Sequence, residues 1–456
     1  MALMISISGV RGIVGPDLTP ELAVKYASAF AEYCSRGTIV LGRDGRVTGK
    51  ILGNIISSTL LAMGCDVMAL GVCPTPTIQL AVEKARVQGG ISITASHNPV
   101  EWNGMKFVAS TGLFLNTEEN KKLWAIADRP LRNYASWERQ GKHSSNTDFI
   151  DLHVQEVLSL PYLTVANIRR KSFKVVVDCV NGAGGIVVPK LLRELGCTVI
   201  EMNCDASGLF AHTPEPIPEN LGDLCVRVQQ ERADLGIAID PDADRLVLID
   251  ERGVPLGEEY TIATVVKFIL EKEASISSKK HKVVVNQSTT RAIDDIANEY
   301  GAEVTRTPVG EINVTSAMKE VGATIGGEGS GGVILPKIHL GRDSLVGIAL
   351  VLQYLADFGG PISGLKKTLP QYEITKGRVT FGTMDANERL RQIMTTYSNK
   401  GRISTLDGVK IDFDNSWVHL RKSNTEPIIR IIAEAPTKVQ ADDLAKKFQQ
   451  EILRNH

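Results

Sequence analysis

The 456-residue chain has no excess of either charge: 51 lysines and arginines stand against 52 aspartates and glutamates, for a net charge of −1. That balance excludes bulk binding to nucleic acid or to an acidic membrane surface, while leaving room for local basic pockets. No stretch approaches the roughly 18 consecutive apolar residues that span a bilayer. Residues 1–10 are apolar but lack a basic start and a long apolar centre, so they read as a strand and not as a signal peptide. The seven cysteines include no C-x-x-C pair, and their odd number cannot pair fully. They read as reduced core thiols of a cytoplasmic protein.

What is present is ordinary globular material, 43% hydrophobic and 23% charged. The chain is too long for one core, and its length suggests roughly three domains. A repeat supports that number. Ile39-Val40-Leu41 leads into the polar loop Gly42-Arg43-Asp44-Gly45-Arg46, a helix, and a second strand after Met63-Gly64-Cys65. Val175-Val176-Val177 and Val283-Val284-Val285 each open the same strand–loop–helix–strand sequence, closing at Leu195-Gly196-Cys197 and Tyr300-Gly301-Ala302. Each is a βαβ unit, which implies mostly parallel strands with helices on both faces. A polar stretch at 128–148, the turn Gly253-Val254-Pro255 and the breakers Gly359-Gly360-Pro361 and Pro370 mark boundaries. The expected fold class is α/β: three similar mixed α/β domains at 1–147, 148–254 and 255–369, around a central cleft. A smaller α+β domain at 370–456 follows, because alternation at Val409, Ile411 and Phe413 and strands near 417–421 and 428–432 precede a helix capped by Thr437.

Four segments carry candidate chemistry. In Gly89-Gly90-Ile91-Ser92-Ile93-Thr94-Ala95-Ser96-His97-Asn98-Pro99 a period-2 strand is stopped by Pro99, which presents Ser96 at the strand's carboxyl end. That edge of an α/β sheet is where ligands bind, and a serine there needs a base or metal to activate it. Asp240-Pro241-Asp242-Ala243-Asp244-Arg245 places three carboxylates in a tight loop between apolar strands. Unmetallated, they would repel one another; together they make a hard-oxygen site suited to Mg²⁺. Arg245 can hold a phosphoryl oxygen. Gly326-Gly327-Glu328-Gly329-Ser330-Gly331-Gly332 suits sugar hydroxyls. Arg421-Lys422-Ser423-Asn424-Thr425-Glu426-Pro427 has the donors of a phosphate nest. Near the start, Arg11 lies between glycines and could fork onto a phosphate.

These four motifs, in this order, resemble the α-D-phosphohexomutase family over essentially the whole chain. The resemblance implies that Ser96 is a phosphoserine in the resting enzyme, whose phosphate joins Asp240, Asp242 and Asp244 in holding one Mg²⁺. It implies that Lys106 is the general acid/base, with Arg11 and Arg245 in the active site and His97 positioning the loop. Glu328 and Ser330 match the sugar-reading positions. Arg421, Ser423, Asn424 and Thr425 match the distal phosphate loop, and Thr307 and Gly310 lie where the family has a further substrate loop. The implied reaction interconverts hexose 6-phosphate and hexose 1-phosphate through a bisphosphorylated hexose, which is also the activator. Sugar phosphates are the expected partners, without nucleic acid or membrane, and the protein is expected to act as a monomer or homodimer.

One departure concerns the sugar loop. Many relatives carry a glutamine or methionine after the glutamate and a histidine at its end, where this chain has Gly329 and Gly332. His339 is the candidate replacement for that histidine. Such open loops resemble archaeal-type members assigned to phosphoglucosamine, so glucosamine phosphate is the expected substrate. A bifunctional phosphomannomutase/phosphoglucomutase is the alternative, and a metal-dependent sugar phosphatase a distant one.

Overall fold

Ile39-Val40-Leu41 and the two valine triplets are aliphatic on both faces, and all nine side chains are buried in the strands Ile39–Arg43, Lys174–Asp178 and Lys282–Asn286. In the computed structural model, which describes residues 3–130, 133–276, 279–380, 385–422 and 428–454, each of these strands lies inside its own sheet. On one side runs the parallel strand reached after one helix: Val67–Val72, Thr198–Met202 or Glu303–Thr307. On the other side runs a second parallel strand: Gly89–Ile93, Leu235–Ile239 or Ile325–Glu328. The same order occurs three times.

As the repeat implied, most strand pairings in these three sheets are parallel, and the exceptions lie towards one edge of each sheet. Each second parallel strand folds straight back into an antiparallel neighbour: Trp102–Ala109, Leu246–Ile249 or Gly332–Ile334. A parallel return needs a crossover of about a dozen residues or more, and these connections are too short for one. The three hairpin turns are the segments that carry Ser96, the aspartates and Gly329-Ser330. The first sheet grows to seven strands by adding Met4–Ser6 and Gly9–Ile13 at one edge and His143–Ser145 at the other.

Alternation divides the first sheet between two cores. Ile39, Leu41, Ile91 and Ile93 pack with Phe30, Ile56 and Leu60. Val40 instead joins Ile78, Val82 and Val154 in a core that continues through Val175, Val187, Val283 and Leu352. One apolar interior therefore ties all three repeats together and fixes their hairpin turns relative to one another. Helix Ser344–Phe358 runs through it, buried at every residue from Ser344 to Ala356, as expected for a helix that is apolar all round. Truncating one of its leucines, such as Leu352, to alanine costs about 2–5 kcal/mol.

The tail has a separate core around Leu390, Ile411, Leu420, Ile431 and Phe448. Its five-stranded antiparallel sheet runs in the order Glu373–Thr380, Ile428–Ala435, Trp417–Lys422, Val409–Asp412, Arg402–Ser404. Thr437 caps the last helix, Lys438–Leu453, by accepting from the Gln440 amide. This module meets the third repeat through polar contacts: Gln287 Nε2 to Ser404 Oγ at 3.0 Å, Ser288 Oγ to His419 Nδ1 at 2.9 Å, and the Val309 amide to Asp407 Oδ2 at 2.9 Å. Among the described residues no helix is long and apolar enough to cross a membrane. Ser423, Asn424 and Thr425 lie outside the described residues.

Candidate active site

Ser96 is buried, and its backbone is left-handed, with φ 50°. For a residue with a Cβ that conformation costs roughly 1–2 kcal/mol, so the loop must be held from outside. Arg46 holds it. Its side chain is fully buried, and its five N–H groups donate to five acceptors. Four are carbonyls of the serine loop, those of Ser96, Asn98 and Pro99 at 2.6 Å and Trp102 at 2.9 Å; the fifth is Asp44 Oδ2 at 3.1 Å. Thr94 Oγ1 donates to the same Asp44 oxygen at 2.7 Å and accepts from the Ser96 amide at 2.9 Å. Asp44 and Arg46 belong to the polar, glycine-bearing loop that the sequence marked only as the connection of the first repeat. Charged residues at fixed spacing in that loop were the available signal.

The Ser96 hydroxyl donates to Asp240 Oδ2 at 3.1 Å, and His97 Nδ1 stands 3.5 Å from it. Lys106 faces Ser92 across the hairpin, and its Nζ reaches Asp242 Oδ2 at 2.6 Å and Asp244 Oδ2 at 3.4 Å. Thr75 Oγ1 adds a second donor to Asp242 Oδ2 at 2.9 Å. Gly104 lets the strand Gly9–Ile13 lie close and set Arg11 opposite it, since a Cβ there would come within 2.6 Å of the Val10 carbonyl. Arg245 Nε is 4.0 Å from Asp240 Oδ2 and 3.9 Å from Asp244 Oδ1. Three carboxylates and four cations (Arg11, Lys106, Arg245 and Arg342) therefore share one end of the site.

The carboxylates are not equivalent. Burial and the neighbouring Asp244 and Asp242 push the Asp240 carboxyl well above the usual carboxylate range. Burial acts on Asp242 too, but Lys106 and Thr75 outweigh it and hold that carboxyl low. One oxygen of each aspartate lies within 4.8 Å of the others, and the buried Asp242 Oδ1 and Asp244 Oδ1 accept no hydrogen bond. Unused carboxylate oxygens converging in a buried pocket fit a hard divalent cation such as Mg²⁺. His97 is pushed well below its ordinary value by Arg245 and by burial, and is neutral at pH 7.

These groups open onto a cavity of about 430 Å³ whose wall includes Arg11, Ser96, His97, Lys106 and Arg245 on one side, and Gly310, Glu328, Gly329 and Ser330 on another. The tail domain supplies Lys376, His419, Arg421 and Arg430. Arg421 Nε donates to Asp407 Oδ1 at 2.9 Å. Glu328 is tied by three donors: Asn286 Nδ2 at 2.9 Å and the Gly310 amide at 3.0 Å on Oε1, and Arg342 at 2.8 Å on Oε2. Arg342 also donates to Asp244 Oδ2 at 2.7 Å and lies 3.2 Å from Glu311 Oε2, so it joins the aspartate loop to the Glu328 loop. No motif announced it.

Two expected residues stand elsewhere. Thr307 is buried outside the cavity wall, its hydroxyl donating to the Pro308 carbonyl at 2.9 Å. His339 is also buried outside the wall, its Nε2 on Asp343 Oδ2 at 3.1 Å beside His153 Nε2 at 2.7 Å. Asp343 caps helix Ser344–Phe358, so this pair serves the helix start and does not replace the histidine missing from the sugar loop.

Comparison with known proteins gives the same arrangement a family. Residues 4–133, 151–253 and 258–372 match phosphoglucomutase/phosphomannomutase alpha/beta/alpha domains I, II and III, and residues 376–451 match that family's C-terminal domain. A Methanopyrus kandleri protein described as "Probable phosphoglucosamine mutase" is 38% identical over 97% of this chain and 96% of its own length. The chain belongs to the phosphoglucomutase/phosphomannomutase family. A Thermococcus kodakarensis protein described as "Phosphoglucomutase/phosphomannomutase" is also 38% identical, over the full length of both chains. The crystal structure of a family protein from Burkholderia thailandensis superposes with a TM-score of 0.85, at 26% identity and 98% coverage of each chain. As a phosphohexomutase, the protein is an isomerase that works as an intramolecular phosphotransferase.

Proposed function

We propose that this phosphohexomutase is a phosphoglucosamine mutase, interconverting glucosamine 6-phosphate and glucosamine 1-phosphate. The observation that carries the chemistry is the placement of the Ser96 hydroxyl: on a braced, left-handed turn, 3.1 Å from Asp240, in the wall of a cavity that Arg421 of the tail domain also lines. In this reading Ser96 carries a phosphoryl group in the resting enzyme. The Ser96 Oγ–P bond breaks as the free hydroxyl of a sugar monophosphate forms a new O–P bond, and Lys106 relays the proton between the two oxygens. The resulting bisphosphorylated hexose turns over within the cavity and returns its other phosphoryl group to Ser96.

Arg11 and Arg245 neutralise charge on the equatorial oxygens, where a phosphoryl transition state spreads it. His97, neutral, positions the loop. Asp240, Asp242 and Asp244, with the phosphate on Ser96, would hold one Mg²⁺, which when bound supplies further charge neutralisation at the transferring group. Glu328, Ser330 and Gly310 face the sugar ring, with Thr307 shaping the strand end behind Gly310. Arg421, with Ser423, Asn424 and Thr425, clamps the phosphate that is not reacting. The functional units run 1–147, 148–254, 255–369 and 370–456, and the protein works in the cytoplasm as a monomer or homodimer.

The choice of glucosamine is supported by the open sugar loop and by the archaeal relatives described as "Probable phosphoglucosamine mutase", including the Methanopyrus protein and one from Pyrococcus horikoshii at 35% identity. The equal identity of the Thermococcus protein favours a bifunctional phosphoglucomutase/phosphomannomutase as the second reading. Comparing kcat/KM for the 1-phosphates of glucosamine, glucose and mannose decides between them. An advantage of tenfold or more for glucose or mannose, about 1.4 kcal/mol, transfers the assignment to the second reading. Release of inorganic phosphate without isomerisation makes the protein a phosphatase.

A further inference from the structure

Gly329 needs to be glycine for a reason its own backbone does not supply. Its φ lies outside the left-handed region, so any residue could adopt it. What excludes a side chain is Glu259, whose two carboxyl oxygens would lie 2.0 and 2.1 Å from a Cβ on Gly329. The two positions are therefore coupled. Glu259 keeps its place beside Glu328 and Ser330 only while residue 329 has no side chain, and a side chain at 329 displaces the flexible head of Glu259.

Glu259 sits in the first turn of helix Glu258–Ile276 and lines the cavity. Its Oε2 accepts from the Thr290 amide at 2.9 Å, and its Oε1 has no hydrogen-bond partner among the described residues. Glu328, by contrast, already accepts three hydrogen bonds across both oxygens. Of the two carboxyl groups at the sugar loop, Glu259 is the one with a whole oxygen to offer a ligand.

We propose that Glu259 is the specificity-determining residue for the substituent at C2 of the sugar, favouring an ammonium over a hydroxyl. The inference rests on the mutase reading above and names the group that selects within it. Burial pushes the Glu259 carboxyl up to about 8, so without a ligand it holds its proton at neutral pH. The nearby Glu258 and Glu434 reinforce that and Lys376 opposes it, but Lys376 is itself bonded to Glu258. An ammonium arriving at C2 brings the positive charge that favours the ionised carboxylate, and the two form a charge-assisted hydrogen bond. A hydroxyl brings no charge and gains only a neutral hydrogen bond, which is about half as strong. Sites that read a polar group discriminate through the partner left unpaired.

The test measures kcat/KM for glucosamine 1-phosphate and glucose 1-phosphate in wild type, Glu259→Gln, Gly329→Ala and the double variant. Glu259→Gln keeps the shape and an oxygen for the Thr290 amide, while Gly329→Ala reaches the same carboxyl from the other side. Each single change is expected to lower the glucosamine-to-glucose ratio tenfold or more, and the double variant no further, because both remove one contact. A ratio that stays within twofold of wild type in either single variant overturns the inference, as does an equal loss on both sugars. A wild-type preference for glucose 1-phosphate also overturns it and leaves a mutase of the second reading. Wild-type protein inactive on every hexose phosphate removes the mutase reading and takes this inference with it.

Discussion

Arg46→Lys is the perturbation that most directly separates the brace of the serine loop from its chemistry. Arginine has five N–H donors in a fixed fork, whereas lysine has three on one nitrogen. Arg46 uses all five, four on carbonyls of the serine loop and one on Asp44. Lysine keeps the charge beside Asp44 but leaves at least two acceptors unserved. A buried acceptor left unsatisfied costs about 1–3 kcal/mol, so the rigid loop would lose roughly 2–6 kcal/mol. The loop has a cheaper way out, because letting Ser96 leave its left-handed conformation returns about 1–2 kcal/mol. The expected result is a folded protein whose kcat falls tenfold or more, with KM changed less, since the clamp proposed for the non-reacting phosphate, Arg421, lies on the tail domain. Steady-state kinetics together with a denaturant titration read both quantities. Wild-type kcat in a stably folded Arg46→Lys protein would refute the idea that the five-donor fork sets the position of Ser96.

Protein purified from cells should carry one phosphate on Ser96 by intact-mass and peptide analysis, absent from Ser96→Ala; full mutase activity in that variant would end the phosphoserine mechanism. Asp242→Asn should reduce turnover far more than sugar-phosphate binding, and EDTA should abolish activity with Mg²⁺ restoring it; a chelated enzyme that works normally would contradict the metal assignment. Arg421→Ala should raise KM for both monophosphates by tenfold or more, because a charged contact to phosphate contributes about 1.5–3 kcal/mol. An unchanged KM for the two removes Arg421 from the site.

Most of the architecture could be read from the chain because a buried strand followed by a helix leaves a local pattern. The triplets at Ile39, Val175 and Val283 each lie at the interior of a sheet. What a local pattern could not give was strand direction at the edge, which depends on the length of a connection and not on hydrophobic periodicity. The motifs around Ser96, Asp240 and Glu328 were visible because their residues are consecutive. Arg46, Arg342 and Glu259 act across long sequence separations, joining Asp44 to Trp102, Asp244 to Glu328, and the helix start to Gly329. Nothing in their immediate neighbours announces those partners. His339 shows the reverse case, a polar residue near a functional loop whose side chain is spent on the buried Asp343.

The three hairpin turns occupy the same place in three copies of one sheet, yet one presents a hydroxyl, one a cluster of carboxylates and one a nearly bare glycine turn. Each turn hangs from its own pair of strands above the shared interior, to which the tip of the aspartate turn contributes Ala243. On the roles proposed for these turns, a descendant of this chain could exchange its sugar by rewriting a few positions after Glu328, leaving the turns of Ser96 and the aspartates as they stand. The division also limits what such rewriting can reach, because Arg342 ties the sugar turn to the aspartate turn through Glu328 and Asp244. New specificities should accumulate at 329–332 and at the facing helix start, whereas changes to Glu328 itself would disturb catalysis and recognition together.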